Sequence, residues 1–435
     1  MATVVDVYEN PTALQRFTPV PIFTPIRQTQ SPLATIIALS TSTSNSNQPF
    51  SIDRIRQVYV KGGNIYLING LNLPRQLTHS GRDRDPIFSD DGEKIVFYRG
   101  EDDNDVYSIN ADGSNEQLII KSKSLPTLAQ GDIKALTFVP KTHLLLFNTY
   151  LCNPSPQGPS YNAPECTVGL YRVDTDSGEI SIIVGGLTGN TMQERNFEIS
   201  PDGTFISVSS SGHIDIYAGN RIIYPDAVHY YRTPPDEYLP QQYWLPDSSG
   251  LIAVVAADQE SNEPATPPST YSVLRYTIKD NQVVQIPFEL PIIFNSGCNF
   301  SVSPDTNWIF YISDGNGQGV GTPSLYIGNL NNGSTQLFDW DGRCPSSYYS
   351  DPQWSPDSKY FASQKTIWSV EGSSISIGGD FIAWIDSNHY LYTIYDANIP
   401  KTSTFIGEIG GDTISLPEDF IWSSEFIILD PKNTP

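Results

Sequence analysis

Residues 86–121 read PIFSDDGEKIVFYRGEDDNDVYSINADGSNEQLIIK, and the reading of this stretch decides the fold. Ile87-Phe88 lead into Ser89-Asp90-Asp91-Gly92, and Lys94 to Tyr98 form the apolar run KIVFY. The polar stretch Arg99 to Asn104 precedes VYSIN at Val106 to Asn110, and Ala111-Asp112-Gly113 turns the chain into EQLII at Glu116 to Ile120. Asp-Gly pairs between alternating apolar runs are hairpin signals, because glycine accepts the positive φ that such turns require. The stretch is therefore a meander of four short strands. One such sheet cannot cover both of its faces, so similar units must stack against it.

The chain supplies them. FSDDGEKIVFY from Phe88 is followed by FVPKTHLLLF from Phe138, ISPDGTFISVS from Ile199 and LPDSSGLIAVV from Leu245. VSPDTNWIFYI from Val302 and WSPDSKYFAS from Trp354 complete the series. The second turn position falls at Asp90, Pro140, Pro201, Pro246, Pro304 and Pro356, at spacings of 50, 61, 45, 58 and 52 residues. A regular motif at irregular spacing marks one repeat class with constant strands and variable loops. In S-P-D-G, proline presets φ at the second position, aspartate bonds its own backbone and glycine tolerates the exit. Asp202, Asp247, Asp305 and Asp357 are thus expected to make turns rather than a site.

The SPDG turn, the apolar second strand and a later strand such as Asn64-Ile65-Tyr66-Leu67-Ile68-Asn69 resemble the repeats of TolB-like β-propellers over residues 52–430. The resemblance implies an all-β fold, a single β-propeller of four-stranded antiparallel blades. It says nothing of activity, since such folds serve as scaffolds, transport components, peptidase side domains and lyases. Propellers protect their sheet edges by closing a ring. Arg56 to Thr78 supply only three strands, so the innermost strand of that blade is expected from Ile414 to Leu429. Six motif-bearing units and this shared blade make seven. The segment SISIGGDFIAWI, ending at Ile385, resembles a further copy of the turn motif, with His389 to Tyr395 as a third strand. Eight blades are the alternative, although only 22 residues separate Pro356 from Gly378.

Composition agrees with strands and turns: 24 Tyr and 19 Phe stand beside 32 Gly and 34 Pro. The net charge of −23 argues against a nucleic acid partner. No run of 18 apolar residues spans a membrane. MATVVDVYEN, at the N-terminus, lacks the basic start and apolar run of a signal peptide. Residues 1–50, rich in Thr, Ser and Pro between Thr18 and Phe50, read as a linker or stalk, with 51–435 as the propeller. Such a stalk fits a surface-tethered protein. The four cysteines contain no C-x-x-C; Cys152–Cys166 and Cys298–Cys344 are the expected disulfides, which imply an extracellular, cell-surface or periplasmic location.

In a four-stranded meander, first-to-second and third-to-fourth turns share one face of the ring, and here all are short. The opposite face carries Leu151 to Cys166, Asp258 to Ser269, Asp314 to Pro323, Pro225 to Pro240 and Asp339 to Ser350. Long loops on a scaffold are where binding resides. On that face His229, Tyr230, Tyr231, Arg232, Tyr238, Tyr243 and Trp244 form the densest aromatic cluster and the candidate binding surface. The expected function is non-catalytic binding of a protein or glycan partner by an exported propeller. The alternatives are a carbohydrate-active lyase or hydrolase with its site at the channel mouth, or a structural part of an envelope or surface assembly. G-x-S-x-G, H-E-x-x-H and Walker patterns are absent, and no cofactor is expected. His79, His143, His213, His229 and His389 are read as coming from different units, with only His79 and His229 on the loop-rich face. Glu101-Asp102-Asp103-Asn104-Asp105 is a weak calcium loop, and Arg82-Asp83-Arg84-Asp85 reads as a local ion-pair lattice.

Overall fold

A computed structural model describes residues 50–100, 105–125, 132–152, 166–189, 197–210, 212–230, 240–256, 270–291, 300–313, 324–338, 353–396, 401–416 and 425–428. These form eight four-stranded antiparallel sheets, the blades of a single β-propeller. The second blade is the opening meander: Asp83–Phe88, Lys94–Arg99, Asp105–Asn110 and Gln117–Ile120. Third strands repeat one burial rhythm. NIYLIN, DVYSIN and SLYIGN share the same alternation of buried and half-buried positions in the first, second and sixth blades.

The first blade takes Ile55–Lys61, Asn64–Asn69 and Arg75–Gln76 from the N-terminal side, and its innermost strand, Glu425–Ile428, from the C-terminal side. Ile55 pairs with Ile428 and Val58 with Glu425, so the ring closes as the sequence predicts. Apolar packing makes the same circuit. One cluster joins Val58, Leu67 and Ile427 to Phe88 and Phe97 of the second blade. The last joins Ala383, Leu391 and Ile406 of the eighth blade to Ile55 of the first.

The expectation of seven blades is corrected to eight. The seventh blade, Gln353–Trp354, Tyr360–Ser363, Thr366–Ser369 and Ser374–Ser376, is compressed rather than incomplete. Its second and third strands are joined by Gln364-Lys365 alone, with Gln364 at φ 51°. The chain then passes directly to the eighth blade, where Ile377 N–H donates to Lys365 O at 2.8 Å and Phe381 N–H to Gln364 O at 2.6 Å. Gly378-Gly379 is this connection, not a copy of the turn motif. A Cβ on Gly379 would lie 2.1 Å from Thr393 O, so only glycine permits the approach. His389–Asp396 is accordingly the second strand of the eighth blade, not its third; Lys401–Glu408 is the third.

The turns between first and second strands behave as their sequence requires. In the fourth blade Gly203 N–H donates to Ser200 O, Phe205 N–H to Ser200 Oγ and Thr204 N–H to Asp202 Oδ1. Ser303 with Asp305 and Ser355 with Asp357 repeat the pattern. The fourth turn residue has φ of 68° at Gly92, 74° at Gly203, 60° at Ser248, 59° at Thr306 and 64° at Ser358. A serine there costs about 1 kcal/mol of backbone strain. Its hydroxyl offsets that cost by joining blades: Ser248 Oγ accepts from Asp202 N–H at 3.1 Å, and Ser358 Oγ from Asp305 N–H at 2.9 Å.

Candidate functional site

The predicted aromatic surface divides. Trp244 ends the inner strand Gln241–Trp244 and immediately precedes the Leu245-Pro246-Asp247-Ser248 turn, so it belongs to the short-turn end, not the loop-rich face. It is buried, stacks on Phe205 at 6.1 Å and donates Nε1–H to Glu198 O of the preceding blade at 3.2 Å. Trp354 does the same to Ser301 O, and Trp384 to Gln353 O. These tryptophans staple adjacent blades. Tyr230 is buried in the cluster between the fourth and fifth blades. Tyr243 is partly buried and donates its hydroxyl to Gln241 Oε1. Tyr231, Arg232 and Tyr238 lie outside the described residues.

His229 remains on the loop-rich face, and a second histidine joins it. His213 opens the third strand of the fourth blade, His213–Ala218, and His229 closes its fourth, Arg221–His229, so both belong to one unit. The register sets them directly opposite each other. Cβ atoms of such pairs lie about 5 Å apart on one face of the sheet. His213 Nε2 is 3.4 Å from Asp215 Oδ2, and His229 Nδ1 is 3.4 Å from Asp226 Oδ1. Asp226 N–H donates to Asp215 Oδ1 at 2.8 Å, which ties the two carboxylates to one rim. The side chain of His229 is 67% exposed and that of His213 37% exposed. This rim offers paired imidazole donors and acceptors flanked by carboxylates, a surface suited to polar groups such as hydroxyls and amides. Counted outward from the Gly219-Asn220 turn, His213 would face Asp226. Register shifts near Pro225-Asp226, with Asp226 at φ 52°, bring His229 there instead.

Cys152 and Cys166 are also register partners, across the second and third strands of the third blade. Cα atoms of antiparallel partners lie about 4.5–5.5 Å apart, within the span of a disulfide. Cys298 and Cys344 lie outside the described residues, as do residues 101–104 of the acidic loop and the segment 1–49. Asp105 is engaged by Ser122 through its N–H and hydroxyl. Of Arg82 to Asp85, Asp83 pairs outside the stretch and Arg84 with its neighbour, so two separate ion-paired groups stand where a single local lattice was expected. Arg99 reaches Asp83 at 2.6 Å and Glu116 at 2.5 Å, while Arg84 pairs with Asp85 at 2.8 Å. Burial works against the Arg99 charge, but these carboxylates outweigh it and raise its pKa.

A second polar cluster occupies the short-turn end, between the second and third blades. His143 Nε2 lies 3.0 Å from Asp91 Oδ2, and Nδ1 lies 3.1 Å from Asp176 Oδ2. Asp176 in turn receives Lys94 Nζ at 2.5 Å. Burial opposes the imidazolium, but hydrogen bonds to Asp176 and Asp91 outweigh it and raise the His143 pKa. Hydrogen bonding from Lys94 holds Asp176 below the usual carboxylate value. Asp91, Glu93 and His143 each place one ligand-capable atom within 4.8 Å of the others. Beside them a groove of about 530 Å³ is lined by Arg56, Arg75, Glu93, Asn110, His143 and Asp176, among others. The sequence carried a signal for this cluster: Glu93 and His143 hold the same position in successive copies of the turn motif.

No protein-family model matches the chain, and no curated protein sequence matches it. Solved structures do. An oligogalacturonate lyase in complex with manganese is 14% identical over 72% of this chain and 81% of its own, with a TM-score of 0.44. Dipeptidyl peptidase 4 of Porphyromonas gingivalis is 12% identical over 76% of this chain and 52% of its own, with a TM-score of 0.49. The β-propeller domain of the Trilobed protease from Pyrococcus furiosus is 10% identical over 78% of this chain and 99% of its own, with a TM-score of 0.42. At these identities and TM-scores the likenesses add nothing narrower to the β-propeller that the chain's own sheets show.

Proposed function

We propose that this chain is an exported, TolB-like propeller that binds a protein or glycan partner through its loop-rich face. One observation carries the reading. Every long connection between described strands, including 153–165, 257–269, 314–323 and 339–352, leaves the same end of the ring, and the exposed His213–His229 rim stands at that end. Varied loops on a constant scaffold are the usual location of recognition. A Cys152–Cys166 disulfide would clasp the first of these connections and fits an oxidising compartment. Residues 1–50 would serve as the tether.

The test is binding of the full chain to a glycan array and to proteins of its own cell surface, repeated with His213→Ala/His229→Ala/Tyr231→Ala. Loss of the recognised partner by about tenfold or more, with thermal unfolding unchanged, supports the reading. Undiminished binding refutes the proposed surface. A carbohydrate-active enzyme is the second reading, and depolymerisation of a polysaccharide by the purified chain would replace the first with it.

A further inference from the structure

The recurring inner turn provides internal controls for its copy in the second blade. In three siblings the turn aspartate receives, on its outer oxygen, a donor from the residue two positions later. Thr204 Oγ1 reaches Asp202 Oδ2 at 2.8 Å, Asn307 Nδ2 reaches Asp305 Oδ2 at 2.9 Å, and Lys359 Nζ reaches Asp357 Oδ2 at 3.0 Å. In the second blade that residue is Glu93, whose side chain brings carboxylate acceptors where the siblings bring a donor. Asp91 Oδ1 is still held by Ser89 Oγ and Glu93 N–H, at 2.6 and 2.9 Å. Its Oδ2 turns across the blade boundary to His143. The third blade offers no turn aspartate of its own, because Lys141 stands at that position. Two carboxylates and an imidazole therefore meet where the repeat otherwise pairs an acceptor with a donor.

We infer that Asp91, Glu93 and His143 form a binding site for a divalent transition-metal ion, with zinc(II) the best match to one imidazole and two carboxylates. The surroundings fit that role. A metal-bound histidine characteristically donates its other N–H to a carboxylate, which fixes the tautomer and orients the ring. Asp176 occupies that place at Nδ1, and it is anchored by Lys94, whose side chain is only 7% exposed. Asp91 Oδ1 is held by Ser89 and its own turn, and its Oδ2 faces His143 Nε2 at 3.0 Å, so a bound ion would take the place of the proton between those two atoms. Arg56 lies near Glu93 and Asp91, but its Nη1–H donates to Gly92 O at 2.7 Å. Joining blades does not by itself require such charges. At the fourth-to-fifth and sixth-to-seventh junctions a serine hydroxyl accepting a backbone N–H makes the corresponding link. Glu93 and His143 also line the groove, so the site is reachable from solvent.

The experiment is calorimetric titration of the full chain with zinc chloride at pH 7.5, beside Glu93→Gln, His143→Asn and Asp176→Asn. The expected result is one saturable equivalent of zinc that excess calcium does not displace. Glu93→Gln and His143→Asn should each weaken it about tenfold or more, and Asp176→Asn, as the positioning partner, about 10-fold to 100-fold. Glu93 is exposed and its side chain makes no hydrogen bond among the described residues, so its variant tests the ligand without disturbing the blade junction. Absence of saturable binding, or zinc binding untouched by Glu93→Gln, overturns the assignment; the second result would place the ion at another histidine, such as the His213–His229 pair.

Discussion

The two ends of this ring are built on opposite plans. At the short-turn end, one motif recurs blade after blade and its hydrogen bonds run both within each turn and between neighbouring turns. At the loop-rich end, connections such as 153–165 and 257–269 are long and share no turn motif. An aromatic residue therefore means different things at the two ends. Trp244 faces the preceding blade and holds it, whereas His229, at the end of the fourth blade's last strand, faces solvent. The described blade-holding bonds gather at the short-turn end, the loop-rich end is where recognition is proposed, and the His143 cluster is a place where the short-turn end departs from its own repeat.

The strongest way to break this contrast is at the staples. Trp244→Ala removes a buried ring and its bond to Glu198 O, and should cost about 3–5 kcal/mol in denaturant unfolding. A cost below 1 kcal/mol would mean that the short-turn end does not hold the blades together.

A smaller effect should appear in acid. Burial opposes the charge on Asp202, but hydrogen bonds from Ser200, Thr204 and Ser248 outweigh it and hold the carboxyl below its ordinary 3.8. Asp247 is likewise lowered, chiefly by the hydroxyl and N–H of Ser249. A depressed folded-state pKa stabilises the fold above the unfolded value, and that stability is lost as pH falls through the folded one. Stability measured by urea titration should therefore decline below about pH 3.8, and Asp202→Asn should make that decline shallower. An acid limb unchanged in the variant would remove the turn carboxylate from the account.

Much of the fold was legible because its determinants are local. Turn chemistry at Ser89-Asp90-Asp91-Gly92 and its siblings fixes the first hairpin of the second to seventh blades, and the missing strand beside Ile55–Lys61 demanded a C-terminal partner. The eighth blade was obscured because Gln364-Lys365 and Gly378-Gly379 compress the seventh below the length that its relatives suggest. Gly378-Gly379 also imitates a turn motif while serving as a connection. The site was harder to read because its parts are joined by register and by neighbouring blades. The bulge at Asp226 moves His229 opposite His213, and Trp244 reveals its role only once Glu198 lies beside it. Glu93 and His143 become a pair only when successive turns are superimposed.

The most direct test of the contrast is thermal unfolding of a chain in which 153–165 and 257–269 are each replaced by Gly/Ser segments of equal length, compared with Trp244→Ala. The account predicts that the replaced chain keeps its stability to within about 0.5 kcal/mol, as for changes away from the core, while losing its partner. A loss of stability as large as that of Trp244→Ala would contradict it, because the loop-rich end would then be holding the ring.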